Sequence, residues 1–233
     1  MSGREAWDRE YRRRGIPSSF LDEPSGALVW ALHNWPRLTG EPRPASALDV
    51  GCGGGRNACF LAASGVAAVG VDYSEVALGR AQDRARGRVP VIQADLSEGL
   101  PVRGARFQLV CDLFVYKHLV GAATRAGYRK EIARVLRPDG RLLLSLAEAG
   151  DGYYAACPDL EGASAPRTVT DPVAGIASVL FSFEELLHEM SDLFALEMSW
   201  HKEKPGLMHG GEYVRRTMAT IWRPATDSGT GIH

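Results

Sequence analysis

The strongest indication of the fold is the sequence of residues 47–57, Ala-Leu-Asp-Val-Gly-Cys-Gly-Gly-Gly-Arg-Asn. The apolar residues at 47, 48 and 50 predict the end of a buried strand, the four glycines at 51, 53, 54 and 55 predict a tight turn, and residues 58–63 have the spacing of a helix. A second buried strand is predicted over 66–71, and it ends on Asp72. This order predicts the first half of a doubly wound α/β sheet that binds a nucleotide, with Asp72 positioned to hold ribose hydroxyls.

The charge pattern around these glycines distinguishes between nucleotides. A dinucleotide fingerprint has the form Gly-x-Gly-x-x-Gly, but Arg56 stands three residues after Gly53, where the third glycine would be. Asp49 lies two residues before the first glycine of the run. A carboxylate at that position would repel a pyrophosphate, and it would suit a ligand that carries an ammonium and a sulfonium group.

The runs Asp49-Val50-Gly51-Cys52-Gly53-Gly54-Gly55 and Val69-Gly70-Val71-Asp72-Tyr73-Ser74 together resemble the cofactor motifs of class I S-adenosylmethionine-dependent methyltransferases. The resemblance implies a Rossmann-like fold: a doubly wound seven-stranded sheet with helices on both faces and a C-terminal antiparallel hairpin. It implies S-adenosyl-L-methionine as cofactor and S-adenosyl-L-homocysteine as product. The cofactor contacts expected from it are Asp49, Gly51, Cys52, Gly53, Gly55, Arg56, Asn57, Asp72, Tyr73, Ser74, Asp95, Leu96 and Asp112.

The rest of the core follows the same alternation of strands and helices. Strands are predicted over 89–94, 107–115 and 141–146, and helices over 75–86 and 122–136. Residues 132–142 also resemble the helix, turn and fifth strand of this superfamily, so the resemblance spans at least residues 45–147. In the resembling family an acid after the third strand faces the adenine amino group, which makes Asp95 a candidate for that contact; the alternative is that Asp95 only forms a turn.

Composition limits the function classes. The 233 residues are 45% hydrophobic and 24% charged, enough for one domain with a substantial core, and the net charge of −1 provides no general attraction to nucleic acid or anionic membranes. We see neither a basic and apolar leader nor an apolar run of about 20 residues, which predicts a cytoplasmic protein without a membrane span. The four cysteines lack metal-ligand spacing, so reduced thiols and no metal site are expected.

We expect a single domain over residues 1–226. Its predicted parts are an N-terminal helical cap (1–40), a cofactor-binding core (45–147), a substrate-side insertion (148–178), and a C-terminal helix and hairpin (179–226), followed by a disordered tail (227–233). In the cap, Trp7 and Tyr11 lie one turn apart on a predicted helix over 4–14. They are candidate lid residues of a substrate pocket, and ordinary packing is the alternative.

The segment after the fourth strand, Tyr116-Lys117-His118, should border the ligand because ligands bind beyond the carboxyl ends of such strands. Many class I methyltransferases have Glu-His where this chain has Lys117-His118, so chemistry that needs a carboxylate there is in doubt. His118 could deprotonate an acceptor hydroxyl or amine, and the alternative is a histidine that packs and hydrogen-bonds to the backbone. Lys117 could bind an anionic substrate, and the alternative is a solvated amine.

The insertion and the hairpin supply the remaining substrate candidates. Residues 147–178 show no helix or strand period, and an insertion at this place commonly shapes the substrate pocket. A helix is predicted over 183–190 with Ser182 as its cap, then strands over 194–200 and 213–222 with a turn between them. The candidate substrate residues are Trp7, Tyr11, Tyr116, Glu148, Tyr153, Tyr154, His201 and His209; for single tyrosines, covering an apolar patch is the alternative.

Short runs at 181–186, 200–203 and 208–210 resemble the tellurite-resistance and thiopurine methyltransferase branch. That resemblance implies methyl transfer to a sulfur, oxygen or nitrogen atom of a small molecule, by in-line displacement. Two other functions stay open: a methyltransferase acting on RNA or protein, and a regulator or cyclase that binds the cofactor without methylating. A nucleic-acid partner is disfavoured by the mixed charges at residues 4–14, and the oligomeric state is not predicted.

Overall fold

A seven-stranded sheet forms the centre of the computed structural model, which describes residues 3–160 and 166–225. Its strand order is β3-β2-β1-β4-β5-β9-β8; the first five strands run parallel, and β9 and β8 close the sheet as an antiparallel hairpin. A separate two-stranded sheet pairs β6 with β7. The strands are β1 Ser46–Val50, β2 Ala67–Asp72, β3 Val91–Gln93, β4 Phe107–Leu113, β5 Leu136–Ala147, β6 Thr168–Thr170, β7 Ala177–Val179, β8 Phe194–Met208 and β9 Gly211–Pro224.

Helices cover both faces of the large sheet. Successive residues of a strand point to opposite faces, so Val110 and Leu144 join the apolar cluster under α6 and α7, whereas Leu109 and Leu143 join the cluster under α3 and α4. This arrangement confirms the predicted Rossmann-like doubly wound fold. The helices are α1 Gly3–Arg13, α2 Pro17–Phe20, α3 Gly26–Thr39, α4 Arg56–Ala63, α5 Glu75–Ala85, α6 Ala122–Val135 and α7 Phe183–Met190, with 3₁₀ turns at Tyr116–His118 and Tyr154–Ala156.

The glycine turn after β1 has the backbone conformation that its sequence requires. Gly51, Gly53 and Gly55 have φ values of 61°, 55° and 75°, a region in which side chains are strained. At Gly55 a Cβ atom would also lie 3.0 Å from the Cβ of Ala81 on α5. The turn therefore leads directly into α4 and holds α4 close to α5.

Serine side chains cap the starts of two helices, and the predicted cap Ser182 is confirmed. Ser74 accepts a hydrogen bond from the Ala77 amide at the start of α5. Ser182 and Glu185 form the reciprocal capping box of α7, which satisfies two backbone N–H groups that the helix leaves without partners. The second long helix begins at Gly26, after the cap Ser25, and the short helix α2 precedes it without having been predicted.

Two predictions in the C-terminal part were wrong. The insertion is not free of regular structure, because β6 and β7 pair with each other inside it. The turn predicted between residues 205 and 211 is also shorter: β8 continues through Pro205 and Gly206 to Met208, and β9 begins at Gly211. Proline is tolerated there because β8 is the edge strand, where a missing N–H leaves no ladder bond broken.

The remaining structural predictions concern membranes, metals and thiols. Within residues 3–160 and 166–225, no helix combines the length and the apolar character needed to cross a bilayer. The same part of the chain holds no cluster of three or more His, Cys, Asp or Glu residues suited to a metal ion. All four cysteines are free thiols. The tail predicted over 227–233 lies outside the described residues.

Candidate active site

A cavity of about 590 Å³ lies beyond the carboxyl ends of the parallel strands. This is the place where doubly wound sheets bind their ligands. It is bordered by the turn after β1, the end of β2, the segment after β4, the N-terminal helices and the C-terminal hairpin. The residues of the sequence prediction that line it are Trp7, Tyr11, Gly51, Arg56, Asp72, Tyr73, Asp95, Leu96, Lys117, His118 and Tyr154.

Asp72, at the end of β2, presents a fixed carboxylate to this cavity. Its two oxygens accept hydrogen bonds from the amides of Gly53 (2.9 Å) and Ser74 (2.8 Å). Burial raises the pKa of this carboxyl, and the two amides act in the opposite direction. Each oxygen keeps a lone pair, so the group can accept two further hydrogen bonds from a vicinal diol.

Asp49 is buried behind the glycine turn and is not part of the cavity lining. Its side-chain atom Oδ2 has no hydrogen-bond partner among the described residues. Burial raises the pKa of Asp49 from 3.8 to about 7, although the backbone N–H of Ala58 lowers it. A buried carboxylate oxygen without a partner is costly unless a ligand compensates it, and the direct contact of Asp49 with a cationic ligand stays a prediction.

Asp112 does not line the cavity, and it stabilises the segment after β4. Its carboxylate accepts hydrogen bonds from the amides of Val115 (2.9 Å) and Tyr116 (3.1 Å) and from the hydroxyl of Tyr128 (2.7 Å). These bonds hold the sharp bend after β4, where Phe114 has a φ of 74°. Asp112 therefore positions the segment that carries Lys117 and His118, and the structure does not bring it to the cavity.

The other predicted cofactor residues outside the lining support the turn. Cys52, Gly53 and Gly55 form its backbone. Asn57 accepts a hydrogen bond from the Ser25 amide (2.8 Å), which fastens the start of α3 to α4. Ser74 caps α5. These residues lie in the shell around the cavity.

Helix α1 covers the glycine turn. Its Asp8 accepts hydrogen bonds from the Ser74 hydroxyl (2.6 Å) and the Val76 amide (3.3 Å), which docks α1 on the start of α5. The Tyr11 hydroxyl lies 2.0 Å from the point where a Cβ atom would be at Gly53, so only glycine leaves room for it. Trp7 packs edge-on against His118, with ring centroids 5.0 Å apart. The structure thus brings both lid candidates to the cavity.

His118 has a defined tautomer. Its Nδ1 atom lies 2.8 Å from the carbonyl oxygen of Ala177 on β7. Because a carbonyl only accepts, Nδ1 carries the hydrogen, and Nε2 keeps a free lone pair. Burial, and then the charge of Lys117, lowers the pKa of His118 from 6.5 to about 3. The imidazole is therefore neutral at physiological pH and can accept a hydrogen bond.

Lys117 is only 3% exposed, although it carries a charge. Its ammonium group donates a hydrogen bond to the hydroxyl of Tyr154 and lies 4.2 Å from the centroid of the same ring. Tyr154 belongs to the insertion, 37 residues further along the chain. The structure therefore joins two residues that the sequence predicted separately.

Two predicted substrate residues belong to other networks. The Tyr116 hydroxyl donates to Glu189 (2.9 Å) and accepts from Arg129 (2.9 Å), below the cavity floor. Tyr153 packs edge-on against Tyr154, with centroids 5.1 Å apart, and supports it from behind. Neither Tyr116 nor Tyr153 is part of the cavity lining.

The two hairpin histidines also lie away from the cavity. His201 is exposed and pairs with Glu148, with Nδ1 and Oε1 3.1 Å apart, so neither of these candidates lines it. His209 binds Asp171 through Nε2 (2.9 Å), and its amide donates to the carbonyl of Gly15 (2.7 Å). His209 thus fastens the hairpin tip to the N-terminal helices and to the insertion.

Sequence reasoning missed the contribution of the hairpin face. Trp200, Lys202 and Lys204 of β8 line the cavity, as do Arg215 and Thr217 of β9. The signal was the alternating pattern Trp-x-Lys-x-Lys over 200–204, which is typical of a strand with one face turned to a site. It was overlooked because Pro205-Gly206 predicted a turn.

The chain is similar in sequence to known methyltransferases. Residues 48–144 match the family model described as a methyltransferase domain. A probable S-adenosylmethionine-dependent methyltransferase of Mycobacterium tuberculosis is 38% identical over 98 residues, covering 42% of this chain and 34% of that protein. The 2-heptyl-1-hydroxyquinolin-4(1H)-one methyltransferase of Mycobacteroides abscessus is 30% identical over 129 residues, covering 54% and 53%. The chain therefore spans about a third to a half of these relatives.

Among solved structures, the 1,6-didemethyltoxoflavin-N1-methyltransferase of Burkholderia thailandensis, with bound 1,6-didemethyltoxoflavin and S-adenosylhomocysteine, matches with a TM-score of 0.70. The identity is 22%, and the match covers 96% of this chain and 87% of that one. This likeness shows the fold. The chain has the Rossmann-like fold of that methyltransferase, and its residues 48–144 match the model of the methyltransferase domain.

Proposed function

We propose that the protein binds S-adenosyl-L-methionine in this cavity and methylates a small-molecule acceptor by in-line displacement. One observation carries the proposal: the anchored carboxylate of Asp72 opens into the same cavity as His118 and Lys117. A site for a nucleoside and a site for a nucleophile are therefore continuous. The names of the matched relatives, all methyltransferases, support the same reaction class.

The residues present suit this cofactor. Asp72 would accept hydrogen bonds from the ribose hydroxyls, and Tyr73, Asp95 and Leu96 line the neighbouring part of the cavity, where the adenine would lie. The Oδ2 atom of Asp49, buried and without a partner in the described part of the chain, suits the positive end of the ligand.

When bound, S-adenosylmethionine supplies a sulfonium methyl group, which passes to the acceptor nucleophile while the sulfur leaves as a neutral thioether. The protein's contribution is to hold the acceptor in line and to exclude water, which is worth effective molarities of roughly 10⁵ M or more. Nε2 of His118 orients an acceptor hydroxyl or amine by accepting its hydrogen bond, and it takes that proton as the bond to the methyl group forms. An acceptor thiol ionises near neutral pH and needs this help least.

A small-molecule acceptor fits the cavity better than a polymer. The N-terminal helices, the insertion and the hairpin all contribute to its lining, so a ligand there is bordered on several sides. Two neighbours whose names identify their acceptors, a hydroxyquinolinone and a didemethyltoxoflavin, are methyltransferases of small heterocyclic molecules. Sulfur, oxygen and nitrogen acceptors all belong to this proposal.

The test is methyl transfer from cofactor labelled in its methyl carbon to a panel of thiols, phenols and amines. We expect S-adenosylhomocysteine to form together with one labelled product. Asp72→Asn should lower turnover at low cofactor concentration, and Asp83→Asn, an exposed acid on α5, is the matched control. Binding of the cofactor without any transfer across the panel would contradict the proposal and identify a protein that only binds it.

A further inference from the structure

The acceptor side of the cavity carries a band of positive charge. We call Lys117, Lys202, Lys204 and Arg215 the cationic wall; all four line the cavity. Two acids lie on this side in the described part of the chain. Asp171 lines the cavity and accepts hydrogen bonds from His209 (2.9 Å) and from the amides of Val173 (2.8 Å) and Ala174 (3.0 Å), and Asp151 pairs with Nε of Arg215 (2.9 Å). The wall therefore faces the cavity with an excess of positive charge.

The charged residues of the hairpin differ between its two faces. Lys204 lies opposite Arg215 in the ladder, and Lys202 lies opposite Thr217, so these side chains share the face toward the cavity. Glu203 pairs with Arg216 (2.7 Å), the neighbouring couple in the ladder, which points to the other face. Glu203 thus neutralises Arg216 on the outer face, while the inner face stays positive.

Lys117 and Arg215 are the buried members of the wall. In residues 3–160 and 166–225, no carboxylate lies within 4.0 Å of the Lys117 ammonium group, and its hydrogen bond goes to the neutral Tyr154 hydroxyl. Asp151 binds only Nε of Arg215 (2.9 and 3.0 Å), and the two Nη atoms have no hydrogen-bond partner in that part of the chain. Within the described residues, Lys117 is therefore a buried cation without a counter-charge, which is unfavourable unless a ligand supplies one. Arg215 is paired with Asp151 through Nε, so only its two Nη groups remain to bind a ligand.

The two cations lie against one ring. The Lys117 Nζ atom is 4.2 Å and the Arg215 Cζ atom 5.8 Å from the centroid of Tyr154. Gly206 makes room for the arginine, because a Cβ atom there would lie 2.8 Å from its Cγ. Three donors of hydrogen bonds, two of them charged, therefore converge on one end of the cavity.

We propose that the acceptor carries a carboxylate, which Lys117 and Arg215 bind together with the hydroxyl of Tyr154. The inference rests on the proposed function and assigns it a class of substrate. A guanidinium fork and an ammonium group match the two oxygens of a carboxylate, and both bonds are charge-assisted. Because His118 lines the same cavity as Lys117, an acceptor bound in this way would place its nucleophile toward Nε2 of His118.

The test is calorimetric titration with benzoate and with benzamide, its uncharged match, in the presence and absence of S-adenosylhomocysteine. We expect wild type to bind benzoate in the millimolar range that a fragment of this size can reach, and to bind benzamide more weakly. Lys117→Met should weaken benzoate binding about 10- to 100-fold and change benzamide binding less than about twofold. Lys130→Met, on an exposed position of α6, is the control and should leave both affinities unchanged.

If Lys117→Met does not fold, a variant at the edge of the cationic wall tests the same inference. Lys202→Met, at the half-buried edge of the wall, should weaken benzoate binding about two- to fivefold. Equal affinity for benzoate and benzamide, no benzoate binding at millimolar concentration, or full benzoate affinity in the folded Lys117 variant would each overturn the inference. Binding of S-adenosylhomocysteine is measured separately, so its loss identifies failure of the proposed function instead.

Discussion

At the scale of single residues, three acids near the carboxyl ends of neighbouring strands differ in their burial and in their hydrogen-bond partners. Asp72 opens into the cavity, Asp49 is buried with one oxygen unpartnered in the described chain, and Asp112 is satisfied by three donors. The sequence could predict where these acids lie, because the strand pattern sets it. It could not predict that Asp112 serves the bend after β4, because that depends on Tyr128, a partner on another element.

Asp49→Asn should make the ligand-free protein more stable at pH 8. The folded-state pKa of Asp49 is raised from 3.8 to about 7, so its contribution to stability is fully present below about pH 4 and is lost as the pH rises through 7. Removing the charge should restore about 2–4 kcal/mol at pH 8 and flatten the pH dependence. Part of the slope should remain, because the pKa of Asp112 is also raised, to about 6.

Urea unfolding at pH 5 and pH 8 measures this effect, with Asp83→Asn as the exposed control. The same Asp49 variant should bind S-adenosylhomocysteine more weakly, since the ammonium group of this ligand loses the carboxylate of Asp49 as its counter-charge. An unaltered difference in stability between the two pH values would show that Asp49 is not the titrating group.

His118 should give no inflection near pH 6.5 in the profile of kcat/KM, because burial and Lys117 lower its pKa to about 3 and it stays neutral from pH 5 upward. Its protonation would cost activity only at much lower pH. His118→Gln should slow transfer to a phenol about 10- to 100-fold and transfer to a thiol much less. Steady-state rates of the wild type and of His118→Gln from pH 5.5 to 9 test this prediction. An inflection near pH 6.5 that disappears in the variant would contradict a neutral His118.

At the scale of elements, α1 and the hairpin, together with the insertion, enclose the cavity at the end of the sheet. The spacing of Trp7 and Tyr11 predicted α1 and its inward face, because a helix period is local information. The hairpin was predicted too short, since Pro205 and Gly206 carry a turn signal that an edge strand overrides. The strands β6 and β7 have three residues each, too few for a period to be visible.

Asp8→Ala should loosen α1 without unfolding the sheet. The change removes the two hydrogen bonds that dock α1 on α5, from the Ser74 hydroxyl and the Val76 amide. We expect affinity for S-adenosylhomocysteine to fall about 5- to 10-fold, because Tyr11 and Trp7 no longer hold their places over the turn. Amide hydrogen exchange over residues 3–13 should speed up while exchange in β1 and β4 stays slow. Asp83→Ala should change neither quantity, and an undisturbed α1 in the Asp8 variant would argue against this docking role.

For the whole molecule, the cofactor side was predictable, whereas on the acceptor side the sequence predicted single residues but not how they pair. The cofactor side is built from consecutive strand, turn and helix segments over 45–147. The acceptor side is built from long-range pairs: Lys117 with Tyr154, Asp171 with His209, and Arg215 with Asp151, which lies 64 residues away. The net charge of −1 did not predict the four cations of the cationic wall, because the net charge of a chain does not depend on where its charges lie.

Calorimetric titration shows whether Asp72 and its surroundings form a site for S-adenosylmethionine. We expect S-adenosylmethionine and S-adenosylhomocysteine to bind at one site per chain and NADH not to bind. Asp72→Asn should weaken both sulfur ligands about 10- to 100-fold, since the ribose hydroxyls lose a charged acceptor, while Asp83→Asn binds as wild type does. Binding of NADH in their place, or an Asp72 variant with full affinity for S-adenosylhomocysteine, would contradict the account.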